Sequence, residues 1–445
     1  MSLITFKNKK ILIVGLGISN IAVIKYLADK KLGLLTITDL KSKNELKENI
    51  NTVKKIFPNA HFVLGKHNIN DFISSDIVIR SPSIFLNNFF IKKAINAGVP
   101  VETDVSIFFK LISSSNTIGV TGTKGKTTTS TFLYKVISDQ GFDVVLAGNM
   151  GIPIMESLEK VGQKTWVVAE LSSYMCASLG RYKISPKVAV YTNLFSDHLD
   201  KYKTFEDYKN DKKALFLNQK KSDILLINKN DKELKTFIDQ AKSQVLFFSK
   251  ENIPNNLTLQ VKGPHYRDNI ASAFVLAKKL NWNMNKVKKT AKDFAGLEHR
   301  MEYLGIINQI EFINNSAATN PGAFLADMQF IIKKSKPIFL LCGGSDKNLD
   351  FKKMADLINN ADLIKGLVLF NGAGTNKLCK YLNSNKIIYI CTSMPRAFKK
   401  IIKKAVKKSI VILNPGCASF GVFKNEFDRG EQFKEQVRKY KKANT

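Results

Sequence analysis

Long apolar runs are missing from this chain: nothing in its 445 residues approaches the ~18 consecutive apolar positions that a membrane-spanning helix requires. Membrane insertion is therefore not expected. Cysteine is scarce as well. The five cysteines (Cys176, Cys342, Cys379, Cys391 and Cys417) are scattered, with neither paired nor metal-ligand spacing, which leaves reduced thiols in a reducing compartment. Carboxylates are few, 37 Asp and Glu against 69 Lys and Arg, giving a formal net charge of +32. Such an imbalance can signal nucleic acid or an anionic surface. Here, however, the lysines recur as pairs on helix faces, as in the run Phe398 to Lys408, without interleaved aromatics and arginines. That pattern buries one stripe and solvates the other. It fits a lysine-rich surface and an anionic small-molecule substrate, with no nucleic-acid partner. The apolar stretch Ile11–Leu16 follows three lysines but runs into Gly15-Leu16-Gly17 and a helical pattern, with no small-residue cleavage site. It reads as the first strand of a cytoplasmic protein.

What is present is the composition of a globular chain, 44% hydrophobic and 24% charged, with length for roughly three domains. Residues 1–104 alternate strands (Lys10–Gly15, Leu34–Asp39, Ile77–Arg80, Val99–Glu102) with helices (Ile18–Lys30 and around Phe90–Ala97) as a small doubly wound unit. Its first turn, Gly15-Leu16-Gly17-Ile18-Ser19-Asn20, begins a dinucleotide fingerprint but places Asn20 where the third glycine belongs. Asp39 closes the second strand, about where a carboxylate would meet a ribose. NAD, another nucleotide-like ligand and plain packing all stay open at this point.

Residues 105–297 hold the most informative stretch, Val120-Thr121-Gly122-Thr123-Lys124-Gly125-Lys126-Thr127-Thr128-Thr129. A strand-like run, Asn116–Val120, precedes it and an amphipathic helix, Ser130–Gln140, follows. Strand, glycine loop ending in Gly-Lys-Thr, then helix is a phosphate-binding arrangement. The backbone N–H groups would cradle phosphate, Lys126 would reach the terminal phosphates and Thr127 would sit on magnesium. Two further strand ends carry chemistry: Trp166–Glu170 ends in a carboxylate, and Val188–Thr192 leads to Asp197-His198. Ligands of parallel sheets collect at such ends, so the loop, Glu170 and His198 are expected at one magnesium–nucleotide site. From 298 to 445 a third α/β unit is expected, with strands Gln309–Ile313, Pro337–Cys342, Gly366–Phe370, Lys386–Cys391 and Ile410–Leu413. No repeat and no low-complexity linker is visible.

Taken in order, several segments resemble those of the Mur ligases: Thr121–Thr128, Gly148-Asn149-Met150-Gly151, Glu170–Tyr174, Asp197–Asp200, Tyr208 with Lys212, His299-Arg300, Ala318-Thr319-Asn320, Gly343-Gly344 with Lys347, and Cys417–Phe420. The similarity runs from Ile11 to about Phe433. It implies three domains: a Rossmann-like domain for a UDP-linked substrate (1–104), a central P-loop ATPase domain (105–297) and a C-terminal Rossmann-like amino-acid-binding domain (298–445). It also implies ATP-dependent amide synthesis. The substrate carboxylate would take the γ-phosphoryl group, and an amino acid would attack the acyl phosphate. The branch resembled most joins D-glutamate to UDP-N-acetylmuramoyl-L-alanine; an L-glutamate variant, a folate polyglutamate synthase and a non-catalytic nucleotide-sugar-binding homologue are the alternatives.

The resemblance assigns residues as follows. Gly122, Thr123, Lys124, Gly125, Lys126, Thr127 and Thr128, with Asn269, Arg300 and Asn315, would bind ATP. Thr127, Glu170, His198 and Lys212, the last as a CO₂-derived carbamate, would hold two Mg²⁺ ions. Lys126, His198 and Lys212 would act at the reacting groups, although Lys213 beside Lys212 leaves that choice open. Ser19, Asp39, Lys41 and Asn149 would meet the nucleotide-sugar substrate, His198 and Thr319 the reacting end, and Lys347, Ser419 and Phe420 the glutamate. The protein is expected to act as a monomer.

The chain departs from the family pattern at Asn315, usually Asp, and Ala317, usually Lys. Lys124 replaces a common Asn, Ser83 a Gly, and Glu426 an aromatic. Lys124 is expected to supply the positive charge that Ala317 lacks, and Glu426 leaves the enantiomer of glutamate open.

Overall fold

The computed structural model describes residues 4–148, 152–195, 202–260, 264–346 and 349–444. They form three sheets in two compact units, Met1–Phe294 with two sheets and Ala295–Thr445 with one.

In the first unit, strands β1 (Lys10–Val14), β2 (Leu34–Asp39), β3 (His61–Leu64), β4 (Ile77–Arg80) and β5 (Val101–Glu102) pair in parallel in the order β3-β2-β1-β4-β5. β1 reads as a continuous apolar run because both faces are covered. Leu12 and Val14 pack with Phe72, Ile91 and Ala94, while Ile11 and Ile13 pack with Ala22, Ile50 and Val53. Strand order reverses at β1, and a crevice for ligand opens outside the carboxyl ends of β1 and β4.

The second sheet joins β6 (Thr117–Thr121), β7 (Val144–Ala147), β8 (Trp166–Glu170), β9 (Val188–Tyr191), β10 (Ile224–Asn228) and β11 (Gln244–Phe248) in parallel order β11-β10-β9-β6-β8-β7. β6 lies between β8 and β9, with Val120 in register with Glu170 and Thr121 with Tyr191. That register puts three strand ends side by side. The helix after the glycine loop runs Lys126–Gln140, four residues earlier than its amphipathic pattern suggests. Gly125, at φ +83°, is its N-cap, so the Lys-Thr-Thr residues form the first turn and leave their N–H groups open to a ligand.

In the second unit the strands are β12 (Glu302–Ile307), β13 (Ile310–Asn314), β14 (Ile338–Gly343), β15 (Ile364–Phe370), β16 (Ile387–Cys391) and β17 (Ile410–Leu413), ordered β12-β13-β17-β14-β15-β16. All pair in parallel except the hairpin β12–β13. Gln309, expected to open a strand, instead turns that hairpin: Asn308 and Gln309 have φ of +49° and +64°, as a two-residue hairpin turn requires. The lysine-paired run also behaves differently beyond Ile402. Its helix spans Met394–Ile402, and Lys403–Lys408 lie in turns, with Lys408 at φ +62°. The five cysteines are all free. No helix among the described residues is long and apolar enough to cross a membrane.

Candidate active site

At the carboxyl end of β6 the glycine loop is tied to the segment after β9. The Thr123 N–H donates to the Asn193 carbonyl at 3.0 Å. The Lys124 N–H donates to Asn193 Oδ1 (2.8 Å), and the Lys124 carbonyl accepts from Thr192 Oγ1 (2.6 Å) and Asn193 Nδ2 (3.0 Å). Thr123 Oγ1 bonds the Phe195 carbonyl and accepts from the Tyr208 hydroxyl at 3.2 Å. Gly122 has to be glycine: at φ +148°, a Cβ there would lie 1.9 Å from Thr192 Oγ1. Asn269, from the helix Pro264–Lys279, covers the other glycine, its Oδ1 2.3 Å from where a Gly125 Cβ would be. Its carbonyl also accepts from Thr129 Oγ1 at 3.0 Å.

Charged and metal-competent groups converge on this loop. Lys126 folds back so that Nζ donates to the carbonyls of Gly122 (3.0 Å) and Thr123 (3.1 Å). The Thr127 hydroxyl donates to Glu170 Oε1 at 3.0 Å. Hydroxyl and carboxylate are hard oxygen donors, and their spacing matches the roughly 2.9 Å between neighbouring ligands of an octahedral Mg²⁺ with bonds of about 2.0–2.1 Å. The donor set therefore fits magnesium.

Lys212, from the helix Phe205–Lys213, packs against the same loop. It is 1% exposed, and Nζ donates to Gly122 O at 2.9 Å and to Thr121 Oγ1 at 3.1 Å, 4.9 Å from the Tyr208 ring centre. Lys213, its neighbour on the helix Phe205–Lys213, turns instead to Glu206 (3.5 Å) and the Phe237 ring. Lys212 faces the glycine loop and Lys213 does not. His198, Asn149 and Lys347 lie outside the described residues.

In the first sheet's crevice, a cleft of about 290 Å³ is lined by Ser19, Ser81–Ser83, Asp104, Gly148 and Tyr174, among others. Asn20, which spoils the dinucleotide fingerprint, is 1% exposed and donates to the carbonyls of Val14 (3.0 Å) and Gly15 (2.7 Å). Asp39 accepts the N–H groups of Leu16 (2.7 Å) and Lys41 (2.9 Å). Both residues shape the turn, and the Lys41 position is exposed. Two buried charges here were not legible in the sequence. Arg80 donates to the carbonyls of Ser81, Pro82 and Ile84 and to Ser178 Oγ, and burial pulls its pKa down to about 10. Asp104 accepts the Val105 N–H at 2.8 Å, and burial pushes its carboxyl up to about 6.

In the second unit, Asn314, Asn315 and the residues after β14 and β17 gather at adjacent strand ends. Asn315 is buried and makes three hydrogen bonds, to the Met301 N–H, Asp327 and Asn414. Thr319 is half-buried and precedes Asn320, whose side chain caps the helix Pro321–Ile332. The buried Ser419 hydroxyl has no hydrogen-bond partner among the described residues, while Phe420 is exposed. Glu298, His299 and Glu431 cluster as metal ligands could. Lys434 already neutralises that cluster, its Nζ 2.9 Å from Glu298, 3.2 Å from Glu302 and 3.0 Å from Glu431.

Residues 120–287 match the Mur ligase middle domain, and residues 9–103 match the Mur ligase MurD-like N-terminal domain. A UDP-N-acetylmuramoylalanine–D-glutamate ligase from Borreliella afzelii is 34% identical over 98% of this chain and 99% of its own length. The chain belongs to the Mur ligase family. It is accordingly an ATP-dependent acid–amino-acid ligase of peptidoglycan precursor synthesis.

Other Mur ligases extend the comparison. A D-glutamate ligase of the same name from Clostridium tetani is 30% identical over 97% of both chains. Among solved structures, the MurF ligase of Thermotoga maritima in complex with ADP aligns over 100% of both chains with a TM-score of 0.59 at 16% identity. The UDP-N-acetylmuramate-alanine ligase of the same organism covers 97% of this chain and 99% of its own with a TM-score of 0.56 at 18% identity. At that identity the likeness shows the shared fold, the three-domain α/β architecture of Mur ligases.

Proposed function

We propose that this Mur ligase joins D-glutamate to UDP-N-acetylmuramoyl-L-alanine through an acyl phosphate. One observation carries the choice of substrate: relatives named for that reaction align with 97–98% of the chain at 30–34% identity. The site's chemistry supports it. Phosphoryl transfer asks a protein mainly for positioning and charge neutralisation, and the phosphate loop supplies N–H donors, Lys126 and a magnesium-competent oxygen pair.

In this reading residues 1–104 hold the nucleotide sugar, 105–297 hold ATP, and 298–445 hold glutamate. Ser19, in the cleft with Ser83 and Gly148, meets the uridine diphosphate part with Asp39 and Lys41, and Asn149 meets the muramoyl-alanine end. Gly122 to Thr128 and Asn269 bind the nucleotide, with Arg300 contributing. Lys126 draws negative charge off the transferring phosphoryl group. Thr127, Glu170, His198 and Lys212, the last as a carbamate, hold two Mg²⁺ ions, which supply further neutralisation of phosphate charge. Lys212, 1% exposed, supports this role by its place, with Nζ beside the Gly122 carbonyl and the Thr121 hydroxyl. The Ser419 hydroxyl, buried and without a hydrogen-bond partner among the described residues, is suited to a polar group of glutamate, with Phe420 and Lys347 assigned to the same amino acid and Thr319 to the reacting end. The enzyme works as a cytoplasmic monomer.

Phosphate release from ATP, measured with UDP-N-acetylmuramoyl-L-alanine and either D-glutamate, L-glutamate or no amino acid, tests the reading. Release that depends on D-glutamate is expected. Dependence on L-glutamate would transfer the assignment to the other enantiomer, and no turnover by a folded chain that binds the nucleotide sugar would favour a binding protein.

A further inference from the structure

Arg300 is flanked by two non-glycine residues with left-handed backbone, His299 at φ +62° and Met301 at φ +49°. Such conformations are uncommon and persist where the surroundings over-determine them, often at functional sites. The turn is held on every side by its own unit. The His299 N–H donates to Glu302 Oε2 (2.9 Å) and its carbonyl accepts from the Ala317 N–H (2.9 Å). Asn314 Nδ2 lies 2.9 Å from His299 Nδ1. The Met301 N–H donates to Asn315 Oδ1 at 3.0 Å.

Asn315 is in turn fixed from behind. It is 3% exposed, and Nδ2 donates to Asp327 Oδ2 at 2.7 Å and to Asn414 Oδ1 at 3.0 Å. These contacts allow only one orientation of the amide. Turned over, it would set its NH₂ against the Met301 N–H and its oxygen against the Asp327 carboxylate. They also disfavour Asp at this position. A carboxylate at 315 would have no hydrogen to give and would face a second carboxylate at hydrogen-bond distance.

We propose that Asn315 is a positioning residue acting through Arg300: the Asp327–Asn315 pair fixes the left-handed turn and so sets the direction of the Arg300 guanidinium. The proposal rests on the reading that Arg300 serves ATP, and it makes Asn315 a support for the nucleotide site in place of a direct ligand.

The test is a double-mutant cycle in the full-length chain with N315D, D327N and N315D/D327N, read by thermal midpoint, KM for ATP and kcat. N315D is expected to lower the midpoint and raise KM for ATP about tenfold. In the double variant the donor and acceptor of the 315–327 pair exchange places and the Asn414 amide turns over to donate to the carboxylate at 315, and KM is expected to return to within about threefold of the starting value. Additive effects without rescue would overturn the pairing. A fall in thermal midpoint with KM for ATP unchanged would overturn the positioning role, leaving Asn315 as packing only. ATP binding by the unmutated chain, followed by calorimetry, separates the two levels. A chain that binds no ATP would overturn the ligase reading itself, whereas binding combined with an additive cycle overturns this proposal alone.

Discussion

Lys212 Nζ lies 2.9 Å from the Gly122 carbonyl, whereas the adjacent lysine, Lys213, points to Glu206. The two therefore have different consequences when removed. Lys212→Ala is expected to lower kcat by at least about 100-fold, the scale of losing a charged group at the reacting phosphate. Lys213→Ala, which loses only a partly exposed ion pair, is expected to stay within about threefold. Steady-state kinetics of the two variants checks this, and equal losses would contradict the assignment. Carbon-13 NMR in labelled bicarbonate adds a second readout: a carbamate signal present in the unmutated chain should vanish in Lys212→Ala.

The Thr127–Glu170 pair predicts a magnesium phenotype. Glu170→Gln keeps size and hydrogen bonding but removes the charge. The magnesium concentration for half-maximal activity is expected to rise by about tenfold or more, with the thermal midpoint little changed. Magnesium titration of activity measures it. An unchanged requirement would remove Glu170 from the metal site.

Asp104 predicts a pH effect on stability. Its carboxyl is raised to about 6 by burial, against an ordinary value of 3.8. Below pH 3.8 the group is protonated whether the chain is folded or unfolded. As pH rises through 6, the folded state must ionise a buried acid that the unfolded state ionises freely, so stability falls across that window. The cost at neutral pH is of order 2–3 kcal/mol. Asp104→Asn escapes it, so its thermal midpoint relative to the unmutated chain should climb between pH 4 and 7. A difference that stays flat with pH would refute the assignment.

By the resemblance of the sequence to Mur ligases, Lys124 and Ala317 replace an Asn and a Lys. If Lys124 supplies the displaced charge, Lys124→Asn should cost about tenfold or more in kcat/KM, and Ala317→Lys added to it should recover most of the loss. A surface lysine such as Lys399, exposed in the structure, provides the control. Additive effects would show that the two positions act independently.

Much of the architecture was legible because buried parallel strands announce themselves as apolar runs. Trp166–Glu170 and Ile410–Leu413 fall where the sequence places them. The edge strand β12 did not, since its alternating exposure and Gly305 break the signal that burial would have written. The glycine loop was legible through its local pattern, although the helix begins at Lys126 because Gly125, in a left-handed conformation, caps it. Relationships made by tertiary contact stayed hidden. No pattern in the sequence singles out Asn193, whose side chain bonds both backbone groups of Lys124. Asn315 looked like a weakened carboxylate until Asp327 appeared beside it. Asn20 looked like a flaw in a dinucleotide turn, whereas its amide satisfies the two carbonyls that end β1 and begin the turn.

The central claim is amide synthesis through an acyl phosphate at the loop that carries Lys126 and Thr127. It is tested most directly by supplying UDP-N-acetylmuramoyl-L-alanine with both carboxylate oxygens of the alanyl group labelled with oxygen-18, together with ATP and D-glutamate. Mass spectrometry of the released phosphate is expected to show one labelled oxygen per turnover, with the second retained in the amide. Product forming while the phosphate stays unlabelled, or label appearing in AMP, would contradict the account.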